Sequence, residues 1–185
     1  RLQAATGGSV AAWSVNQLPW MSTPFDAPRD IWRPTHNPAH DAISLASMPM
    51  VPWCNRISRG GIQTPEGFCP LTPNLPGETY PIHGDGFLQS WQWVKTDTTQ
   101  ATMRLTSNRF QGNPHHYAAT QKFELTPDGM VQSLQRYIRT SALFRLTVKH
   151  FSNVTMILHK NLVLCGVCCL NWRKWWRADH RQARR

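Results

Sequence analysis

Short stretches of alternating apolar and polar residues are the clearest pattern along this chain. Residues 91–94 alternate, and residues 101–106 place Ala101, Met103 and Leu105 at every second position. Because successive side chains of a β-strand point to opposite faces, this spacing predicts strands with one apolar face. No segment has the clear periodicity of an amphipathic helix, so the pattern favours an all-β protein.

A predicted hairpin follows these strands. Residues 117–125 are strand-like, and residues 126–129 form a turn signal with Pro127 second and Gly129 last. Proline presets φ at the second position of a turn, and glycine closes it. Residues 130–134 are then expected to start the partner strand. Several short strands at this spacing predict an antiparallel β-sandwich or barrel.

The fourteen prolines and eleven glycines of the chain imply many turns and few long helices, and loops are expected to dominate its first half. Residues 16–40 are rich in Pro, Asn, Asp and His and are expected to form a long loop. Residues 48–53 are apolar but contain two prolines, which predicts an edge segment or a packed loop. Residues 58–86 carry Gly and Pro throughout and predict short strands and loops.

The composition changes abruptly near residue 135, which predicts two regions, 1–135 and 136–185. Residues 1–128 hold nine Lys/Arg and nine Asp/Glu, whereas residues 129–185 hold eleven Lys/Arg and one acid, Asp179. The net charge of +10 therefore lies in the second region and does not describe a basic domain. An irregular tail is expected there; disorder, attraction to a membrane surface, nucleic-acid binding and a reading-frame shift all remain open.

The cysteines indicate neither a disulfide framework nor a metal centre. Five occur, and the only close pair, Cys165 and Cys168 followed by Cys169, has no second Cys or His pair at zinc-site spacing. The longest apolar run, residues 162–170, is too short to span a bilayer. No signal peptide opens the sequence, so a cytoplasmic location is expected, with no membrane partner and no specific nucleic acid.

Two loop segments carry side chains suited to chemistry. Asn55 and Arg56 stand beside Trp53 and can offer amide and guanidinium donors to hydroxyl oxygens. His83 lies on a glycine-rich loop where an imidazole could donate to or accept from a substrate hydroxyl. A surface ion pair for Arg56 and a structural role for His83 are the alternatives. The adjacent His115 and His116 would point to opposite faces of a strand, which favours a structural role.

At these residues the chain resembles the aldose 1-epimerase (galactose mutarotase) family of bacterial type. Three segments occur in the family's order and spacing, and the resemblance covers roughly residues 5–135 of a longer family pattern. The segments are Gly7-Gly8-Ser9, residues 48–57 (MPMVPWCNRI) and residues 83–87 (HGDGF) followed by Trp91. The resemblance implies an incomplete antiparallel β-sandwich of the galactose mutarotase type.

The resemblance also implies an activity, the interconversion of α and β anomers of a hexose without metal or organic cofactor. Asn55 and Arg56 match the family's sugar-contacting pair, and His83 matches its first active-site histidine. His150, in Lys149-His150-Phe151-Ser152, stands where the family has its general-acid histidine, without the family's Pro-Tyr. The family's general-base Glu has no counterpart, so weak or absent catalysis by this chain is expected.

Three other functions remain open. A carbohydrate-binding module or regulator would keep the sugar contacts without the acid–base pair. An epimerase of phosphorylated hexoses would need extra basic residues near the site, and residues 1–128 show no such excess. A nucleic-acid-binding protein would depend on the basic tail alone.

Overall fold

The computed structural model describes residues 1–17, 21–32, 41–64, 67–127, 129–138, 153–159 and 162–164. The secondary structure in these ranges is β apart from short 3-10 helices at Ala42–Ser44, Ser58–Gly60, Gly86–Leu88 and Phe110–Gly112, which confirms the predicted all-β class. The strands are β1 Leu2–Gln3, β2 Ser9–Val10, β3 Ser14–Val15, β4 Arg29–Asp30, β5 Gly61–Thr64, β6 Gly67–Pro70, β7 Gln92–Thr96, β8 Gln100–Asn108, β9 His116–Thr126, β10 Gly129–Ile138, β11 Asn153–His159 and β12 Leu162–Leu164.

Six of these strands form one antiparallel sheet in the order β12-β11-β10-β9-β8-β7. The other strands pair as three short antiparallel hairpins, β1 with β2, β3 with β4 and β5 with β6. The main sheet is therefore a meander in which each strand pairs with its neighbours in sequence. Such pairing of sequence neighbours is common in antiparallel sheets.

One face of the sheet is buried, as the alternation along β8 predicts. Met103 and Leu105 are 0% and 4% exposed, and Ala119 and Phe123 on β9 are 0% and 4% exposed. Each large side chain buried in this way contributes on the order of 1.5–3 kcal/mol relative to the exposed state. The pattern differs at β7, the last described strand on its edge, where Trp93 is 47% exposed.

The β9–β10 hairpin also agrees with the sequence prediction. Thr126 pairs with Gly129, and the Thr126 hydroxyl donates to the Gly129 carbonyl at 3.1 Å. The partner strand begins at Gly129 and continues to Ile138, past the predicted residue 134. Its Met130 is 5% exposed and joins the same core as Phe123.

Segments near the start of the chain cover the buried face. Ala4 and Val10 belong to the core cluster that contains Met103 and Trp91. Gln121, which is fully buried on β9, donates from Nε2 to the Gly8 carbonyl at 2.8 Å. A Cβ at Gly8 would lie 2.7 Å from ring atoms of Trp91, so only glycine allows this close approach.

The segment beyond residue 135 is described only in part. Strand β10 passes through this position without a break, and β11 and β12 extend the same sheet. The irregular tail expected at 136–185 otherwise falls on residues 139–152, 160–161 and 165–185, which lie outside the described residues. A boundary at residue 135 stays a prediction.

Candidate functional site

Two loops that are distant in sequence run side by side over the region where β8 ends and β9 begins. The carbonyl of Val51 accepts hydrogen bonds from the backbone N–H groups of Asp85 and Gly86, each at 3.0 Å. The backbone N–H of Ile57 donates to the carbonyl of Pro81, also at 3.0 Å. These bonds satisfy backbone groups that a buried loop would otherwise leave unpaired. Of the two alternatives for residues 48–53, an edge segment or a packed loop, the structure shows the packed loop, with a single isolated bridge from Val51 to Gly84.

Gly84 allows the two loops to approach each other. Its φ is +67°, and a Cβ there would lie 1.9 Å from the carbonyl oxygen of Val51. Any other residue would both strain the backbone and collide with the neighbouring loop. The glycine beside His83 is therefore required by the packing of the backbone.

Asn55 and His83 are joined by two hydrogen bonds. The backbone N–H of His83 donates to the Asn55 carbonyl, and the backbone N–H of Asn55 donates to Nδ1 of His83, each at 3.0 Å. Both residues adopt left-handed backbone conformations, with φ of 65° and 60°. Such conformations are unfavourable for residues other than glycine and often mark functional sites.

This contact determines the tautomer of the neutral His83 imidazole. Since Nδ1 accepts a hydrogen bond, the proton of the neutral imidazole lies on Nε2. Burial lowers the pKa of half-buried His83, the positive charge of Arg56 lowers it further, and Glu78 opposes them. The neutral form, with Nε2 as a donor, is therefore favoured near neutral pH.

Arg56 forms an ion pair with Glu78. Nε of Arg56 donates to Oε2 of Glu78 at 2.7 Å, and Nη2 donates to Oε1. The side chains are 49% and 26% exposed, so the pair lies at the surface. Both of its members are close enough to His83 to act on the charge of the imidazole. The hydrogen bond from Arg56 is the main cause that lowers the pKa of Glu78, and Glu78 raises the pKa of Arg56 in return.

Asn74 closes the loop that carries Glu78 and His83. Its Oδ1 accepts from the backbone N–H of Ile82 at 2.8 Å, and its Nδ2 donates to the Ile82 carbonyl at 2.7 Å. Nδ2 also donates to the carbonyl of Gly84. One amide side chain therefore fixes both ends of the segment between residues 74 and 84.

A buried polar cluster lies beneath the glycine-rich loop. Asp85 is 1% exposed, and its Oδ1 accepts from the Tyr117 hydroxyl at 2.5 Å and from Nε2 of Gln89 at 3.0 Å. Burial raises the pKa of Asp85 to about 6, although these hydrogen bonds oppose the shift. Its Oδ2 has no hydrogen-bond partner among the described residues. Asp85 therefore anchors the loop and is inaccessible to a substrate.

The histidine pair near β9 has the structural setting expected of it. His115 is 1% exposed, and its ring packs edge-on against Trp53 with centroids 4.9 Å apart. Burial lowers the pKa of His115 to about 4. His116 accepts from Nε of Arg109 through Nε2 at 3.1 Å.

Three residues near the site were not singled out by the sequence pattern. Glu78 and Asn74 lie upstream of His83 in a Pro- and Gly-rich stretch, where a carboxylate or an amide is unremarkable. Arg136 falls in the segment assigned to the tail, yet it is half-buried on β10 and close enough to Cys54 for an electrostatic interaction. Burial lowers the pKa of Arg136, and Cys54 partly offsets this.

The remaining sequence expectations concern His150, metals and membranes. His150 lies outside the described residues, so its role stays a prediction. Within the ranges that the structure describes, no three potential ligands from His, Cys, Asp and Glu come together to hold a metal ion. The same ranges contain no helix of the length and apolarity that a bilayer crossing requires.

Comparison with known proteins supports the resemblance. The family profile described as Aldose 1-epimerase matches residues 6–151, most of the chain. The chain belongs to the aldose 1-epimerase family. The match extends beyond residue 135, where the sequence resemblance was expected to end, and it includes Asn55, Arg56 and His83.

Two comparisons each find a similar protein in Escherichia coli K12. The uncharacterized protein YphB is 28% identical over 93 residues, which cover 50% of this chain and 31% of YphB. A crystal structure of a candidate aldose 1-epimerase matches with a TM-score of 0.59 and 24% identity, covering 73% of this chain and 41% of that protein. The structural match shows a shared fold. The chain spans about a third of YphB and under half of the solved protein.

Proposed function

We propose that this aldose 1-epimerase family member binds a hexose through Asn55, Arg56 and His83 and that its reaction is the interconversion of α and β anomers. The observation that carries the proposal is the reciprocal Asn55–His83 contact. It joins two loops 28 residues apart in sequence and places the histidine beside the Arg56–Glu78 pair. The three residues that the resemblance assigns to sugar binding thus occur together.

The hydrogen-bonding capacity left at this site matches a sugar. Nε2 of His83 and the NH₂ group of Asn55 make no hydrogen bond to a described residue, and Arg56 retains N–H groups beyond those on Glu78. Hydroxyl and ring oxygens of a hexose accept from such donors. Arg56 also lines a cavity of about 550 Å³ whose lining includes neither Asn55 nor His83, and the half-exposed ring of Phe68 on its wall can pack against sugar C–H groups.

The proposed chemistry is acid–base ring opening. A base removes the proton from the C1 hydroxyl while an acid protonates the ring oxygen; rotation about C1–C2 precedes closure on the other face. Neutral His83 would hold a sugar oxygen through Nε2–H. His150 is proposed as the acid by resemblance, and the family's base has no counterpart in this sequence. Each positioned acid or base contributes on the order of a hundred- to ten-thousand-fold in rate.

Binding without catalysis is the second candidate function, and the two carboxylates near His83 favour it. Glu78 is engaged by Arg56, which lowers its pKa and makes it a weak base. Asp85 is buried and bonded to Tyr117. Neither carboxylate is free to take a proton from the C1 hydroxyl in this arrangement.

Calorimetry and polarimetry together distinguish the two functions. Galactose and glucose would be titrated into the chain, and the optical rotation of freshly dissolved α-galactose would be followed with and without protein. Binding with accelerated mutarotation supports an epimerase, whereas binding without acceleration supports the second function. His83→Ala should abolish binding. Absence of both binding and acceleration in the folded wild-type chain would overturn the proposal.

A further inference from the structure

We propose that Glu78 is a positioning residue that fixes the guanidinium of Arg56 in the orientation that binds the sugar. The inference rests on the proposed hexose site and adds a residue that the resemblance does not assign. It is carried by the contact geometry, by the loop that holds Glu78 and by the charges around His83.

The contact is bidentate, and this determines which donors of Arg56 stay available. Glu78 takes one N–H from Nε and one from Nη2. A guanidinium has five N–H donors in one plane, so three remain, two on Nη1 and one on Nη2. Their directions are fixed once two edge donors are held by a carboxylate. An arginine fixed before sugar binds loses less rotational freedom when the complex forms.

The backbone places Glu78 for this role. Its N–H donates to the carbonyl of Leu75 at 3.2 Å, within the loop that Asn74 closes on Ile82 and Gly84. The same loop carries His83. The Arg56–Glu78 contact therefore joins the guanidinium of Arg56, on the first loop, to the second loop, which carries both Glu78 and His83.

A purely structural role for Glu78 explains the arrangement less well. The ion pair is exposed to solvent, where water and salt screen the charges. The two loops are already joined by backbone bonds at Val51, Asn55 and Ile57, none of which involves Glu78. Loss of the carboxylate should leave the fold intact and change the behaviour of Arg56.

The charges acting on His83 provide a second readout. Burial is the main cause that lowers the pKa of His83. The charge of Arg56 lowers this pKa further, and the charge of Glu78 raises it. Glu78→Gln removes the opposing charge and should lower the pKa of His83 further. Since the sugar-binding form is the neutral imidazole, binding is lost as the pH falls through this pKa. The acidic limb of the binding profile should therefore move to lower pH in the variant.

The test is galactose titration of the full chain from pH 4.5 to 8. The variants are Glu78→Gln, Arg56→Gln, their double mutant and Glu124→Gln, an exposed charge-matched control on β9. We expect affinity at pH 7.5 to fall about tenfold in Glu78→Gln, as for loss of one charged hydrogen bond. We also expect its acidic limb to shift downward, no further loss when it is added to Arg56→Gln, and no change in the control.

Each other outcome overturns the inference in an identifiable way. Unchanged affinity and an unchanged acidic limb in Glu78→Gln would refute the role of Glu78 and leave the sugar site standing. Effects that add to those of Arg56→Gln would show that Glu78 acts independently of the arginine. A large drop in the melting temperature of Glu78→Gln would show a structural role. If wild-type chain and the control bind no hexose, the proposed function and this inference both fail.

Discussion

Asn55 and His83 hold each other in place through two 3.0 Å hydrogen bonds, one of which ends on a side-chain nitrogen. The bond from the Asn55 backbone to Nδ1 leaves Nε2 of His83 as the donor. The imidazole therefore enters the site in one tautomer before any sugar arrives. Because the bond comes from the backbone, this control does not depend on the Asn55 side chain.

The first prediction concerns the protonation of His83. Nitrogen-15 NMR should show the Nε2–H tautomer and a pKa below 6.5, because burial and Arg56 disfavour the charged ring. A folded-state pKa below the unfolded value makes the contribution of this group to stability fall as pH drops below about 6.5. An Nδ1–H tautomer or a pKa above 6.5 would contradict the described contact.

The second prediction separates the Asn55 side chain from its backbone. Asn55→Gly keeps the backbone N–H, and glycine tolerates the φ of 65°. The His83 tautomer should persist, while galactose affinity falls roughly three- to tenfold because an amide donor is lost. Gln111→Gly, at another left-handed position, is the control and should bind normally. Unaltered affinity in Asn55→Gly would remove its side chain from the proposed site.

The third prediction compares two glycines with left-handed backbones. At Gly84 a Cβ would collide with Val51, whereas at Gly77, with φ of 80°, it would meet open space. Gly77→Ala should destabilise by about 1–2 kcal/mol from backbone strain alone. Gly84→Ala should cost about 1–3 kcal/mol more from overpacking. Urea denaturation measures both, and equal losses would show that the loops are not in contact there.

The fourth prediction concerns Asp85. Its pKa rises from 3.8 to about 6 on folding, so stability falls as the pH rises from about 4 to about 6 and the unfolded carboxyl ionises first. The two pKa values correspond to about 3 kcal/mol of lost stability once both states are ionised. The free energy of unfolding of Asp85→Asn, relative to that of the wild type, should therefore increase by up to this amount as the pH rises from 4 to 7.

The control for this prediction is Asp97→Asn. Hydrogen bonds from the Thr99 and Gln100 backbone lower the pKa of Asp97 to about 2, so its charge is constant over that range. The free energy of unfolding of Asp97→Asn should therefore differ from that of the wild type by a constant amount from pH 4 to 7. Parallel curves for Asp85→Asn and the wild type would mean that Asp85 is not desolvated.

Local sequence patterns predicted the sheet well. The alternation of Met103 and Leu105 identified the buried face of β8, and the turn ending at Gly129 identified the β9–β10 hairpin. Both features depend on side-chain periodicity or on the φ preferences of single residues. They need no knowledge of distant partners.

The contacts within the candidate site could be predicted less well from local sequence patterns. Asn55, Arg56 and His83 were singled out by their residue types and loop settings, and the resemblance supplied their roles. The surface ion pair that was the alternative for Arg56 is present, with Glu78 as its partner. Neither the Asn55–His83 bond nor Glu78 follows from a local pattern, because the partners in each contact are more than 20 residues apart in sequence. The course of such loops depends on backbone bonds such as those to Val51.

A crystal structure of the chain with galactose shows whether Asn55, Arg56 and His83 together hold a hexose, as we propose. We expect sugar oxygens within about 2.6–3.2 Å of Nε2 of His83 and of an N–H of Arg56 that Glu78 does not use. A sugar bound away from these loops, or bound with Nε2 of His83 left unused, would rule out this site.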